Sequence, residues 1–122
     1  MWMLWWVVQA VLAPTTVKGS CTELDGKTGH EVALEWDGEG TRFHGRATID
    51  DDETVLDGVR RGGKVELSLR DPTTGVLRYE IAADAEWEDG ACTSLTNAVA
   101  RSYTSSMVVK MTCDFEVASP DA

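Results

Sequence analysis

Basic residues are scarce in this sequence: Lys plus Arg number 11 against 21 Asp plus Glu, for a formal net charge of -10. A surface of that sign repels phosphate backbones, which argues against nucleic-acid binding. It equally argues against docking on an anionic membrane through a basic patch. Protein or small-molecule partners that are basic or neutral stay compatible with it, and so does a charge that serves only solubility. Histidine is limited to His30 and His44, and neither sits in a triad signature such as Gly-x-Ser-x-Gly. The 3 cysteines, Cys21, Cys92 and Cys113, show no Cys-x-x-Cys spacing, so zinc and thioredoxin-like readings get no support. No catalytic residue, metal ligand or cofactor is therefore assigned, and the chain is expected not to be an enzyme.

The 122 residues make one domain, long enough to bury a single core. At 43% hydrophobic and 26% charged, the composition is that of a globular protein. Residues 1–17 carry no charged side chain, and residues 2–13 are almost wholly apolar. That run falls short of the about 20 residues a spanning helix needs, but it fits the apolar region of a signal peptide. Ala10 and Ala13 could frame a cleavage site, although no Lys or Arg precedes the run and Pro14 follows it directly. The expectation is a leader over 1–13 and an exported mature chain without a transmembrane span. The alternative is an N-terminal core element.

In an exported protein an odd cysteine count means one disulfide and a leftover thiol, or a modified cysteine. Lipidation of Cys21 would absorb the odd one, yet Lys18 stands where a lipoprotein signal needs an apolar residue, which argues against an anchor.

Beyond a polar linker over 14–29, the pattern has period two. Val32, Leu34 and Trp36 share one face, and Phe43, Gly45, Ala47 and Ile49 share the next. Asp37-Gly38 supplies turn chemistry between them. A shorter strand is expected over 54–59, then Val65, Leu67 and Leu69 alternate without a fault. Pro72 and Gly75 mark a turn before the long series Leu77, Tyr79, Ile81, Ala83, Ala85 and Trp87. Val109, Met111, Cys113, Phe115 and Val117 form the last inward row. Residues 92–106 read as a loop with one helical turn, because Leu95, Ala98 and Val99 suit a helical face. Asp-Gly recurs at 25–26, 37–38, 57–58 and 89–90 as turn punctuation.

One-faced alternation of this kind belongs to antiparallel sheets. The expected fold is an all-β antiparallel meander of six to seven strands over residues 30–117, closed as a small barrel or folded as a two-layer sandwich, with a tail over 118–122.

Four features invite chemistry. Arg42, His44 and Arg46 fall on one outer face and could bind an anion, or pair across the hairpin with Glu31 and Glu35. The run Asp50-Asp51-Asp52-Glu53 lacks the spacing of a calcium loop and reads as a solvated turn. Trp36, Phe43, Tyr79 and Trp87 could line a cavity or simply fill the core. Cys113 lies in a core strand, and a Cys92–Cys113 bridge is preferred because it would pin the poorly patterned segment. Cys21–Cys113 and Cys21–Cys92 stay open. The resulting expectation is a non-enzymatic exported binding or structural module. The alternatives are a small hydrolase or lyase around Arg42, His44 and Arg46, and a hydrophobic-ligand carrier.

Overall fold

Eight strands form wherever inward apolar residues alternate with outward polar ones, and short connections turn each strand back on its predecessor. The computed structural model describes residues 14–37, 41–104 and 106–118. The strands are β1 (Thr15–Glu23), β2 (Gly29–Asp37), β3 (Arg42–Ile49), β4 (Asp52–Arg61), β5 (Lys64–Arg70), β6 (Leu77–Glu88), β7 (Ala91–Tyr103) and β8 (Val108–Val117). Each pairs antiparallel with its sequence neighbours, and β8 returns to pair with β1, closing an up-and-down barrel. Closure leaves no unpaired sheet edge.

The barrel has two distinct ends. Chain entry at Thr15 and exit at Val117 share one of them, the terminal end, with the β2–β3, β4–β5 and β6–β7 connections. The β1–β2, β3–β4, β5–β6 and β7–β8 connections gather at the other, the hairpin end.

An eight-stranded barrel is just wide enough for its own side chains to fill it. Leu34, Trp36, Phe43, Leu56, Leu67 and Leu69 are the large side chains of that filling, each no more than 2% exposed. Thr54 is the one buried polar residue of the described core, and its hydroxyl donates to the Ala47 carbonyl at 3.2 Å. Large rings need room, which inward glycines supply. A Cβ at Gly45 would stand 1.9 Å from the Glu35 carbonyl oxygen and 2.6 Å from Cα of Trp36. At Gly19 it would meet the Asp114 carbonyl oxygen at 2.1 Å.

Turn chemistry follows local sequence. Asp50 and Asp51 hold φ of 49° and 69°, and Asp89 and Gly90 hold 52° and 82°, the positive-φ pairs that tight hairpins require. Asp25 and Asp71 fold their own loops. Each carboxylate accepts two backbone N–H groups, from Lys27 and Thr28 at 2.8 and 2.9 Å, and from Thr73 and Thr74 at 2.8 and 2.9 Å. Those bonds hold both carboxyls below the usual carboxylate range.

Several expectations need correction. Strands number eight rather than six or seven, because the supposed linker over 14–29 contains β1 and the supposed loop over 92–106 contains most of β7. The inward row of β1 is Thr15, Val17, Gly19, Cys21 and Glu23, too polar to register as alternation. In β7 the buried positions are Cys92, Leu95, Ala98 and Ala100, spaced three, three and two. Their β6 partners advance regularly, so the register shifts at Glu86/Trp87 and Ala82/Asp84. Each shift is a bulge that inserts one residue into β7, which imitates helical spacing. Asn97 takes a φ of 52° at the second. Asp57-Gly58 is no turn but the middle of β4, where Gly58 lies beneath Phe43 and Leu67. The expected leader over 1–13 and most of the tail over 118–122 lie outside the described residues.

Candidate functional site

The outer row of β3 carries Arg42, His44 and Arg46, as the sequence suggests. The neighbouring strands answer it with acids. His44 lies opposite Asp57, and its Nδ1 is 2.7 Å from Asp57 Oδ1. Arg46 donates to Glu35 Oε1 at 3.3 Å across the β2–β3 hairpin. Glu31, the other expected partner, lies past the end of β3, where its carbonyl accepts the Asp50 N–H at 3.0 Å. His44 and Arg46 are 78% and 79% exposed on the convex outside of the barrel. Pairs this wet carry little energy.

The cysteine pairing differs from the preferred one. Cys21 and Cys113 are bonded, directly opposite each other on the seam where β1 meets β8, with Cα atoms 4.0 Å apart. Cys92–Cys113 is excluded by register. Ala98 is the β7 residue beside Cys113, and Cys92 lies six residues further along an extended strand, roughly 20 Å away. Cys92 instead stays a buried free thiol at the terminal end, beside Trp87 in the register. Burial pushes that thiol up to about 11, against smaller pulls from a Ser94 backbone hydrogen bond and from Arg60. Little thiolate forms at neutral pH. Alkylation of the native protein should therefore run at least about a hundredfold slower than in denaturant. Mass spectrometry of iodoacetamide-treated samples checks this, and equal rates would contradict it.

Two constellations close the barrel ends. At the terminal end Trp36, Phe43 and Trp87 pack in series, the first pair tilted and the second stacked, with ring centroids 5.8 and 5.5 Å apart. The Arg60 guanidinium covers Trp87 at 4.3 Å from the ring centroid. Trp87 Nε1 is buried there without a hydrogen-bond partner. Tyr79 packs against the core near the opposite end. Burial, aided by Asp52, raises its hydroxyl above the ordinary range, so it stays protonated.

The hairpin end is ionic. Glu23 ends β1 and His30 opens β2 on inward positions, and Asp50 starts the β3–β4 turn. His30 Nε2 lies 2.8 Å from Glu23 Oε2, while its Nδ1 bonds Asp50 Oδ2. Arg78 of β6 reaches Asp52 at 2.8 Å and Asp71 at 3.4 Å. The run 50–53 therefore spends Asp50 on His30 and Asp52 on Arg78. Among the described residues no group of three or more His, Cys, Asp or Glu converges to hold a metal ion.

With both nitrogens bonded to carboxylates, the site favours the imidazolium form of His30, which has no lone pair to act as a base. Hydrogen bonds donated to Glu23 and then Asp50 raise its pKa. The same contact, with the Glu31 N–H, lowers that of Asp50. The sequence offered one signal for this cluster: His30 shares the parity of Val32, Leu34 and Trp36.

Shallow depressions of about 180 and 310 Å³ lie on the outer face of β5–β7, sharing Glu66, Ala82 and Val99. Comparison with protein families, with curated proteins and with solved structures finds no match to this chain.

Proposed function

We propose that this chain is a non-enzymatic binding or structural module that works outside the cytoplasm, at the cell envelope or beyond it. The observation that carries this reading is the Cys21–Cys113 bond across the closure seam. Disulfides of this structural kind persist in oxidising compartments. Among the described residues no helix is long and apolar enough to cross a membrane, which is compatible with export.

Two further features favour recognition from the outside. Large side chains occupy the barrel interior, so a partner meets the outer strands and loops. Those outer faces carry charge, as at Glu35, Arg46, Lys64 and Glu66, where a lipid-facing barrel needs an apolar band. With a net charge of -10, the partner is a neutral or basic protein or small molecule and not a nucleic acid.

Intact mass of the native protein, purified from separated cell fractions, tests the proposal. The expected species comes from the envelope or the medium, lacks the apolar leader and carries one disulfide. A full-length, fully reduced chain confined to the cytoplasm would contradict it.

A further inference from the structure

The hairpin end is closed by charge where the terminal end is closed by stacked rings, and the charge is arranged around one proton. Glu23 comes from β1, His30 from β2 and Asp50 from the turn between β3 and β4, so the contact joins two hairpins. Asp50 is held from its backbone as well. Its Oδ1 accepts the Glu31 N–H at 2.9 Å, and its own N–H donates to the Glu31 carbonyl at 3.0 Å. The turn it starts has two non-glycine residues at positive φ, a conformation that L side chains rarely adopt.

We propose that His30 is a proton-operated latch, clamping the base of the β1–β2 hairpin to the β3–β4 turn when charged and releasing one side when neutral. The physical reason is a donor count. An imidazolium has two N–H groups, one for each carboxylate, whereas neutral imidazole has one N–H and one lone pair. Once the proton leaves, either Glu23 or Asp50 must face that lone pair, and the contact turns repulsive. The charged groups acting on His30 from the elements packed against it are Glu23 and Asp50, both acidic. The next acids along the rim, Asp52 and Asp71, are occupied by Arg78, and Tyr79 beside them is neutral.

The direction in pH follows from those partners. His30 is raised in the folded protein, so its contribution is complete below the ordinary histidine value near 6.5 and fades as pH rises through the raised value. Asp50 is lowered, so its contribution is present above the ordinary aspartate value and fades as pH falls through the lowered one. The latch is closed below the ordinary histidine value and opens as pH rises through the raised one.

Nitrogen-15 NMR of the histidine side chains in the full chain, combined with amide exchange over a pH series, tests this. The His30 midpoint should lie above the ordinary histidine value near 6.5, with both ring nitrogens protonated below it. Across the His30 midpoint the protection factor of the Glu31 amide should fall roughly tenfold, the loss of about one hydrogen bond to a charged group, while that of Leu34 stays constant. His30→Gln should abolish the step, and Glu23→Gln, which keeps the imidazole, should move the His30 midpoint to lower pH. A His30 midpoint at or below the ordinary histidine value, a step that survives His30→Gln, or a midpoint unmoved by Glu23→Gln would overturn the proposal.

Discussion

Reducing the Cys21–Cys113 bond is expected to lower the unfolding free energy by about 4–5 kcal/mol, a large fraction of what a domain of this size possesses. The bond spans a sequence separation of 92, almost the whole barrel. In the chain-entropy account, a loop that long restricts the unfolded ensemble strongly, so opening it frees the unfolded chain. The seam is also where such a restriction matters most. Every other strand pair joins sequence neighbours, whereas β1 and β8 must meet from opposite ends of the fold. Urea unfolding with and without reductant measures the effect. The midpoint should drop, and the denaturant slope should rise because the reduced unfolded chain exposes more surface. Since Cys21 is fully buried and Cys113 nearly so, reduction must be driven in denaturant before refolding. An unchanged midpoint would mean that the β1–β8 ladder holds the barrel without covalent help.

Gly45→Ala is expected to be the most disruptive single-methyl addition among the described glycines, costing at least about 3 kcal/mol. The added carbon would lie 1.9 Å from a backbone oxygen and 2.6 Å from a backbone Cα, so no rotamer change can relieve it. Either β2 and β3 separate or Trp36, 2% exposed, loses its seat. Gly63→Ala is the matched control: nothing lies within 4 Å of the position and its φ is not positive. That variant should stay within about 0.5 kcal/mol of the parent. Thermal denaturation of the two variants checks the pair, and similar melting temperatures would contradict the close strand approach at Gly45.

Where the inward row was apolar and the period was strictly two, the sequence already disclosed the strand. β2, β3, β5, β6 and β8 follow from Val32, Phe43, Val65, Ile81 and Met111 with their alternate neighbours. Legibility failed where another constraint replaced hydrophobic burial. β1 is an inward row whose middle is glycine and whose end is an acid, shaped by close approach to β8 and by the ion pair with His30. β7 carries two bulges, and a bulge breaks the very period by which strands are recognised. Asp57-Gly58 resembled a turn because its glycine serves packing under Phe43 and not backbone curvature.

The candidate site was less legible than the fold. Arg42, His44 and Arg46 stood out because they are adjacent on one face, and adjacency in sequence is all that alternation can report. Their partners Asp57 and Glu35 come from the strands on either side. The partners of His30 were not legible because Glu23 and Asp50 lie seven and twenty residues away, brought to it across the β1–β2 hairpin and by the β3–β4 turn beside β2. The cysteine pairing failed for the same reason. Cys92 was favoured because a bridge there would pin a segment that looked like a loop, whereas that segment is a bulged strand and the barrel brings the first strand to the last.

The sealed barrel is tested most directly by a peptide map under non-reducing conditions, with free thiols blocked in denaturant before digestion. The structure requires a Cys21 peptide linked to a Cys113 peptide, and Cys92 carrying the blocking group alone. A link from Cys92 to either of the others would contradict the register of β7 and β8, and with it the closure on which the fold and the proposed function rest.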